Sequence, residues 1–87
     1  MITKKVTLKN AEGLHARPAS ILATTASKYK CNITLIAGDK KINAKSVLNI
    51  MSAGFKGNSE ITIECDGEDE NEAMEIILAK FENEFSE

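Results

Sequence analysis

Several residue types are nearly missing from these 87 residues, and each shortage closes off a class of chemistry. A single histidine, His15, and two widely separated cysteines, Cys31 and Cys65, leave a structural zinc site short of ligands, so no metal is expected. The two thiols read as reduced core residues of a cytoplasmic protein. Clustered basic residues are also lacking. Lysines are scattered as Lys4-Lys5, Lys28-Tyr29-Lys30 and Lys40-Lys41, and the net charge is −2. Nucleic acid is therefore not the expected partner, because neutralising phosphates needs concentrated Lys and Arg. No apolar run approaches the roughly 18 residues of a membrane span. Met1-Ile2-Thr3-Lys4-Lys5 passes directly into an alternating pattern without a secretory signal's apolar core, so the expected setting is the cytoplasm. The length suits one domain over residues 1–87 with a modest core and no room for a deep active site. Chemistry is expected at an exposed surface that a partner completes, without a cofactor.

The hydrophobic periodicity changes along the chain. A strand beginning near Ile2 runs through Val6-Thr7-Leu8, and Asn10-Ala11-Glu12-Gly13 reads as a turn. From Ala16 the spacing is helical, with Ala19, Leu22, Ala23 and Ala26 on one stripe, and the helix is expected to end around Lys28-Tyr29-Lys30. Cys31, Ile33 and Leu35 alternate inward. Gly38-Asp39 then turns into Lys41-Ile42-Asn43, which predicts a hairpin. Lys45 to Ser52 reads as a short helix with Ser46 as N-cap, and Gly54 and Gly57 bracket a loop. Glu60 to Cys65 is the clearest strand. Asp69 followed by Glu72 predicts a capping box opening a last helix, whose stripe is Met74, Ile77, Leu78, Phe81 and Phe85. The order β-α-β-β-α-β-α implies an α+β fold, a two-layer open-faced sandwich with one sheet face in solvent.

Gly13-Leu14-His15-Ala16-Arg17-Pro18-Ala19-Ser20 carries the chemistry. Pro18 fits only a first helical turn, which starts the helix at Ala16 and sets His15 at its N-cap. A helix N-terminus offers unpaired backbone N–H groups, here those of Ala16 and Arg17, and a partial positive charge. The helix end and Arg17 disfavour imidazolium and would hold an anion attached to the ring. A lone histidine at a cap is otherwise an ordinary polar surface residue. The whole segment argues for more.

With that segment in view, the chain resembles HPr, the histidine-containing phosphocarrier family of the bacterial phosphoenolpyruvate-dependent sugar phosphotransferase system. The resemblance runs over essentially the whole chain. It includes Lys45-Ser46-Val47-Leu48-Asn49-Ile50-Met51-Ser52-Ala53-Gly54, Glu60-Ile61-Thr62-Ile63 and Gly67-Glu68-Asp69-Glu70-Asn71-Glu72-Ala73. It implies a four-stranded antiparallel sheet in order 1-4-2-3 under three helices. It implies that His15 accepts phosphate on Nδ1 from enzyme I and gives it to enzyme IIA components, with Arg17 as electrostatic partner and no turnover of its own. Cys31 and Cys65 would then lie close together in the core.

Ser46 is expected to be a regulatory site as well as an N-cap, because Gram-positive relatives, which Ile50-Met51-Ser52 resembles, carry there a serine phosphorylated by HPr kinase/phosphorylase. That form binds the catabolite-control repressor protein. Val47, Leu48 and Met51 cannot all face inward if Ile50 does, so an exposed apolar patch is expected beside His15, with Ile21 adding to it. Arg17, Ser20, Thr24, Ser27 and Lys56 form its expected polar rim. Three positions depart from the family pattern: Glu12, which puts a carboxylate near the site, Asn49 and Ala53. Two other readings compete. Gly54-Phe55-Lys56-Gly57 matches the GxxG loop of nucleic-acid-binding KH domains, but a strand follows it where a helix is needed. A purely regulatory paralogue would lack the histidine. A monomer is expected.

Overall fold

The computed structural model describes residues 1–86. Its elements are β1 (Ile2–Thr7), α1 (Ala16–Ala26), β2 (Asn32–Ala37), β3 (Lys40–Asn43), α2 (Val47–Ala53), β4 (Glu60–Asp66) and α3 (Glu70–Glu82). The sheet is antiparallel in the order β1-β4-β2-β3. Strand β4 lies inside the sheet between β1 and β2, and its alternation buries one of its faces. Ile61, Ile63 and Cys65 are fully buried, facing Val6, Lys4 and Ile2 of β1 in register; Ile63 and Cys65 also face Leu35 and Ile33 of β2. The helices close over this face with Ala19, Leu22, Ile50, Ala73, Ile77 and Phe81. Each fully buried Leu or Ile contributes roughly 1.5–3 kcal/mol, so this face supplies most of the driving force. The intervening residues Thr3, Lys5, Thr34, Asn43, Thr62 and Glu64 form the open, polar face.

Both edge strands carry a lysine on the core side, which discourages pairing with another chain. Lys4 of β1 lies opposite Ile63, and Lys40 of β3 lies opposite Ala37. The Lys40 Nζ donates to Ala53 O at 2.6 Å and so satisfies a carbonyl at the end of α2.

Local sequence rules fail where tertiary partners compete. Helix α1 stops at Ala26, short of the cationic segment Lys28-Tyr29-Lys30. Lys28 and Tyr29 continue as a turn, and Lys45 Nζ donates to Tyr29 O at 2.7 Å from across the molecule. The expected capping box is not formed. Asp69 occupies the N-cap of α3, but its carboxylate accepts the backbone N–H groups of Lys30 (2.8 Å) and Cys31 (2.9 Å). Two otherwise unpaired donors ahead of β2 outbid the helix's own. Glu70, not Glu72, reaches back, taking Gly67 N at 2.9 Å. Cys31 lies just before β2, and both cysteines are buried free thiols. Burial pushes Cys65 up to about 12, which leaves it a poor nucleophile. The Gly54–Gly57 loop joins a helix to a strand, which removes the KH reading.

The turn carrying His15 is held by close backbone packing. Gly13 has φ 75°, and a Cβ there would strike Phe55 O, the same carbonyl that accepts Leu14 N at 3.3 Å. A Cβ on Gly57 would lie 2.5 Å from Ala11 O and 2.6 Å from Asn10 O. On the other side Asn10 Nδ2 donates to Glu84 O at 2.9 Å, and Lys9 pairs with Glu82 at 2.9 Å.

Two outcomes follow. Gly57→Ala should lower stability by about 1–3 kcal/mol in urea unfolding and speed amide exchange at Leu14, because the added methyl meets backbone. Asp69 is held below its ordinary value of 3.8, chiefly by the Lys30 N–H. Its contribution is therefore fully present above about pH 3.8 and is lost as pH falls through the lower folded value. Asp69→Asn should flatten that acid-side loss, seen by comparing urea midpoints at about pH 6 and about pH 3, on either side of the reference carboxylate range.

Candidate functional site

His15 occupies the N-cap of α1 with extended backbone angles (φ −78°, ψ −169°), and its side chain makes no capping bond. The imidazole is thus free of the helix it introduces, with 47% of the side chain exposed. His15 O accepts Ala19 N at 2.9 Å, the first bond of the helix. The N–H groups of Ala16 and Arg17 precede that bond and lack an intrahelical acceptor, and Pro18, buried in the same turn, has no N–H. No acidic residue lies in the first turn of α1, and Arg17 is exposed there. These groups make a shallow, electropositive end that can receive an anion beside a ring nitrogen.

Glu12 is the counterweight. Its Oε1 lies 3.5 Å from His15 Nε2. The left-handed Gly13 turns the chain between them so that the two side chains face each other. The sequence marks Glu12 as unusual but does not say which way it points.

Helix α2 packs against α1 and brings the second group of expected residues close. Ser46 is its N-cap, and Ser46 Oγ accepts Asn49 N at 3.2 Å and Asn49 Nδ2 at 3.0 Å. The departure at Asn49 thus has a structural use: it closes the cap. Ile50 and Ala53 are buried beneath, while Leu48 is 77% and Met51 45% exposed. Val47 is half-buried against the core, so it contributes only an edge to the patch. Ser20, Thr24, Ser27 and Lys56 are exposed, as a polar rim requires.

Ile21 corrects the expectation. It is 8% exposed and belongs to the core. Helix α1 packs against both α2 and α3, so its buried face is wide, taking in Pro18, Ile21, Leu22 and Thr25. Thr25 is tolerated there because its Oγ1 donates to Ile21 O at 2.8 Å.

What the sequence did not reveal is the support behind the site. Phe55 and Gly57 hold the His15 turn, yet their only visible signal, paired glycines, points equally to a ligand-binding loop. Among the described residues no group of three or more His, Cys, Asp and Glu side chains could hold a metal ion, and no helix is long and apolar enough to cross a membrane.

Comparison with known proteins agrees with this geometry. The family model described as the PTS HPr component phosphorylation site matches residues 2–83. The phosphocarrier protein HPr of Mycoplasma capricolum is 49% identical over 77 residues, covering 88% of this chain and 80% of that protein. HPr-C-His from Thermoanaerobacter tengcongensis superposes with a TM-score of 0.95 at 38% identity, covering 100% of this chain and 98% of the other. The histidine-containing phosphocarrier protein of Mycoplasma gives 0.91 at 40% identity, with 97% of each chain covered. With its sheet order, its helix-capping histidine and a match along nearly its full length, the chain belongs to the HPr family, the phosphocarrier proteins of the phosphotransferase system.

Proposed function

We propose that His15 is the group that carries the phosphoryl, accepting it from phosphorylated enzyme I and passing it to enzyme IIA components of sugar transporters in the cytoplasm. The observation behind this is the half-exposed imidazole of the chain's one histidine at the N-cap of α1, making no capping bond, where the N–H groups of Ala16 and Arg17 lack an intrahelical acceptor. A helix end contributes about 0.3–1 kcal/mol to an exposed anion, and each charge-assisted hydrogen bond about 1.5–3 kcal/mol. Arg17 supplies such bonds in bidentate form. A phosphoryl group held by these groups is stabilised yet remains open to attack by the next protein, as a carrier needs. The half-exposed ring excludes no water by itself, so the partner must complete the site and the protein turns nothing over alone.

Docking rests on Leu48 and Met51, bordered by the edge of Val47, with Ser20, Thr24, Ser27 and Lys56 as the polar rim. Two large apolar side chains left in water on a seven-residue helix make little sense for stability and good sense for an interface.

Ser46 is a second control point in the same reading, phosphorylated by HPr kinase/phosphorylase and then recognised by the catabolite-control repressor protein. Phosphate there adds about −1.5 to −2 charges next to Leu48, which opposes docking of an acidic donor.

Incubation with phosphoenolpyruvate and enzyme I should give an acid-labile, base-stable phosphoryl group that is lost in His15→Ala. Equal labelling of that variant would refute the assignment. Separately, ATP and HPr kinase should add an acid-stable phosphate to the protein but not to Ser46→Ala. The phosphorylated form should accept phosphoryl groups from enzyme I at least tenfold more slowly, about 1.4 kcal/mol of lost docking or transfer; unchanged transfer would remove Ser46 as a switch.

A further inference from the structure

We propose that Glu12 is a positioning residue for His15, holding the ring proton on Nε2 and so presenting the lone pair of Nδ1 to the incoming phosphorus. The proposal rests on the reading that His15 accepts the phosphoryl group, and it adds a reason for the choice of nitrogen.

A neutral imidazole has one N–H and one lone pair, and which nitrogen carries the hydrogen depends on what the nitrogens face. An ionised carboxylate only accepts. With Glu12 Oε1 3.5 Å from Nε2, the favoured arrangement places the proton on Nε2. Among the described residues His15 is the carboxylate's one ion-pair partner: the other pairs join Lys9 to Glu82 and the N-terminal amine to Asp66 and Glu70. The first turn of α1, which His15 caps, contains no acidic residue and begins with free N–H groups and Arg17. Glu12 thus puts an anion on the Nε2 side of the ring, while the helix it caps begins with donors and a cation.

The contact is built by the turn. Glu12 sits at the corner of the Asn10–Gly13 turn, closed by Gly13 N donating to Asn10 O at 3.0 Å, and the left-handed Gly13, packed on Phe55 O, leads the chain on to His15. Neither side chain is buried, with 82% of Glu12 and 47% of His15 exposed, so the pair does little for folding. Its leverage is on where the proton sits.

In the transfer step the Nδ1 lone pair forms the new N–P bond while the donor's bond to phosphorus breaks, its electron pair returning to the donor. The accepting ring keeps its Nε2 hydrogen and becomes cationic as the bond forms. The Glu12 carboxylate faces that new charge, as the carboxylate behind a general-base histidine does in serine hydrolases. A phosphoryl group on Nε2 would instead meet Glu12 as anion against anion. On the onward step the same changes run in reverse and the ring returns neutral. An exposed pair of this kind shifts such equilibria by roughly two- to five-fold.

The test uses protein labelled with 15N in its histidine ring, as wild type, Glu12→Gln and Glu12→Ala. Ring-nitrogen NMR at about pH 8.5, about two units above the imidazole reference value, reads the tautomer directly. Steady-state transfer from phosphorylated enzyme I reads kcat and KM. The expected result is a neutral wild-type ring protonated on Nε2. Both variants should show an Nδ1–H to Nε2–H ratio raised two- to five-fold, with kcat lowered up to about five-fold, mainly through loss of the carboxylate that faces the ring cation, and KM unchanged. An unchanged tautomer ratio overturns the proposal, as does a change confined to KM, which would make Glu12 a docking residue. If wild type takes up no phosphoryl group at His15, the carrier reading itself fails. If wild type and variants are phosphorylated alike with the same tautomer ratio, only the role of Glu12 fails.

Discussion

The His15 turn lies against the loop after α2 with no side chain between the two backbones at Gly13 and Gly57. Much else depends on this approach. It delivers Leu14 N to Phe55 O, buries Leu14 and Phe55, and sets the point at which α1 can begin. Only with the start of α1 fixed is the imidazole placed at the N-cap, outside the helix but level with its free N–H groups. The same approach joins the end of α2 to the residue before His15. The helix introduced by Ser46 and the turn carrying His15 are parts of one packed unit, and a change at either is felt through backbone rather than through a flexible tether.

Weak forces are the appropriate ones at the exposed end of that unit. A carrier that held its phosphoryl group in a buried, fully bonded cradle would stabilise the loaded state too far to release it. On the proposed reading the terms that hold it are a helix end worth about 0.3–1 kcal/mol and one guanidinium, with the solvent-exposed Glu12 carboxylate opposing them. Stability comes instead from the core between sheet and helices, where Ile61, Ile63, Leu22, Ile77 and Phe81 are completely buried. On that reading folding and transfer draw on separate residues, so the site can stay open without loosening the core.

Much of this arrangement is legible in the sequence because it follows from short-range rules. Alternation in β4, the Ser46 cap and the position of Pro18 each report one local constraint, and nothing distant contradicts them. The misread positions are those where a long-range partner wins. Asp69 has the right spacing for a capping box, but two backbone donors at Lys30 and Cys31 claim its carboxylate. Ile21 sits at the margin of the apolar stripe of α1, and only the packing of α2 and α3 on either side makes that margin interior. The direction of Glu12 depends on the left-handed turn at Gly13, whose need for glycine is visible although the facing carbonyl of Phe55 is not.

The lysines near Ser46 show how such long-range partners shape electrostatics. Lys45 adjoins Ser46 in sequence and would be the natural counter-ion for a phosphate there. Its ammonium is instead committed to Tyr29 O at the turn after α1, and Lys40 is committed to Ala53 O at the end of α2. Both cations are bonded to backbone carbonyls, and moving either to a phosphate would give up that bond. A phosphate on Ser46 would therefore lie beside Leu48, met by the amides of Asn49 and the free N–H groups that open α2 rather than by either of these cations. An unneutralised charge at the edge of an apolar patch is a strong discriminator: it repels an acidic partner and attracts a basic one without altering the fold.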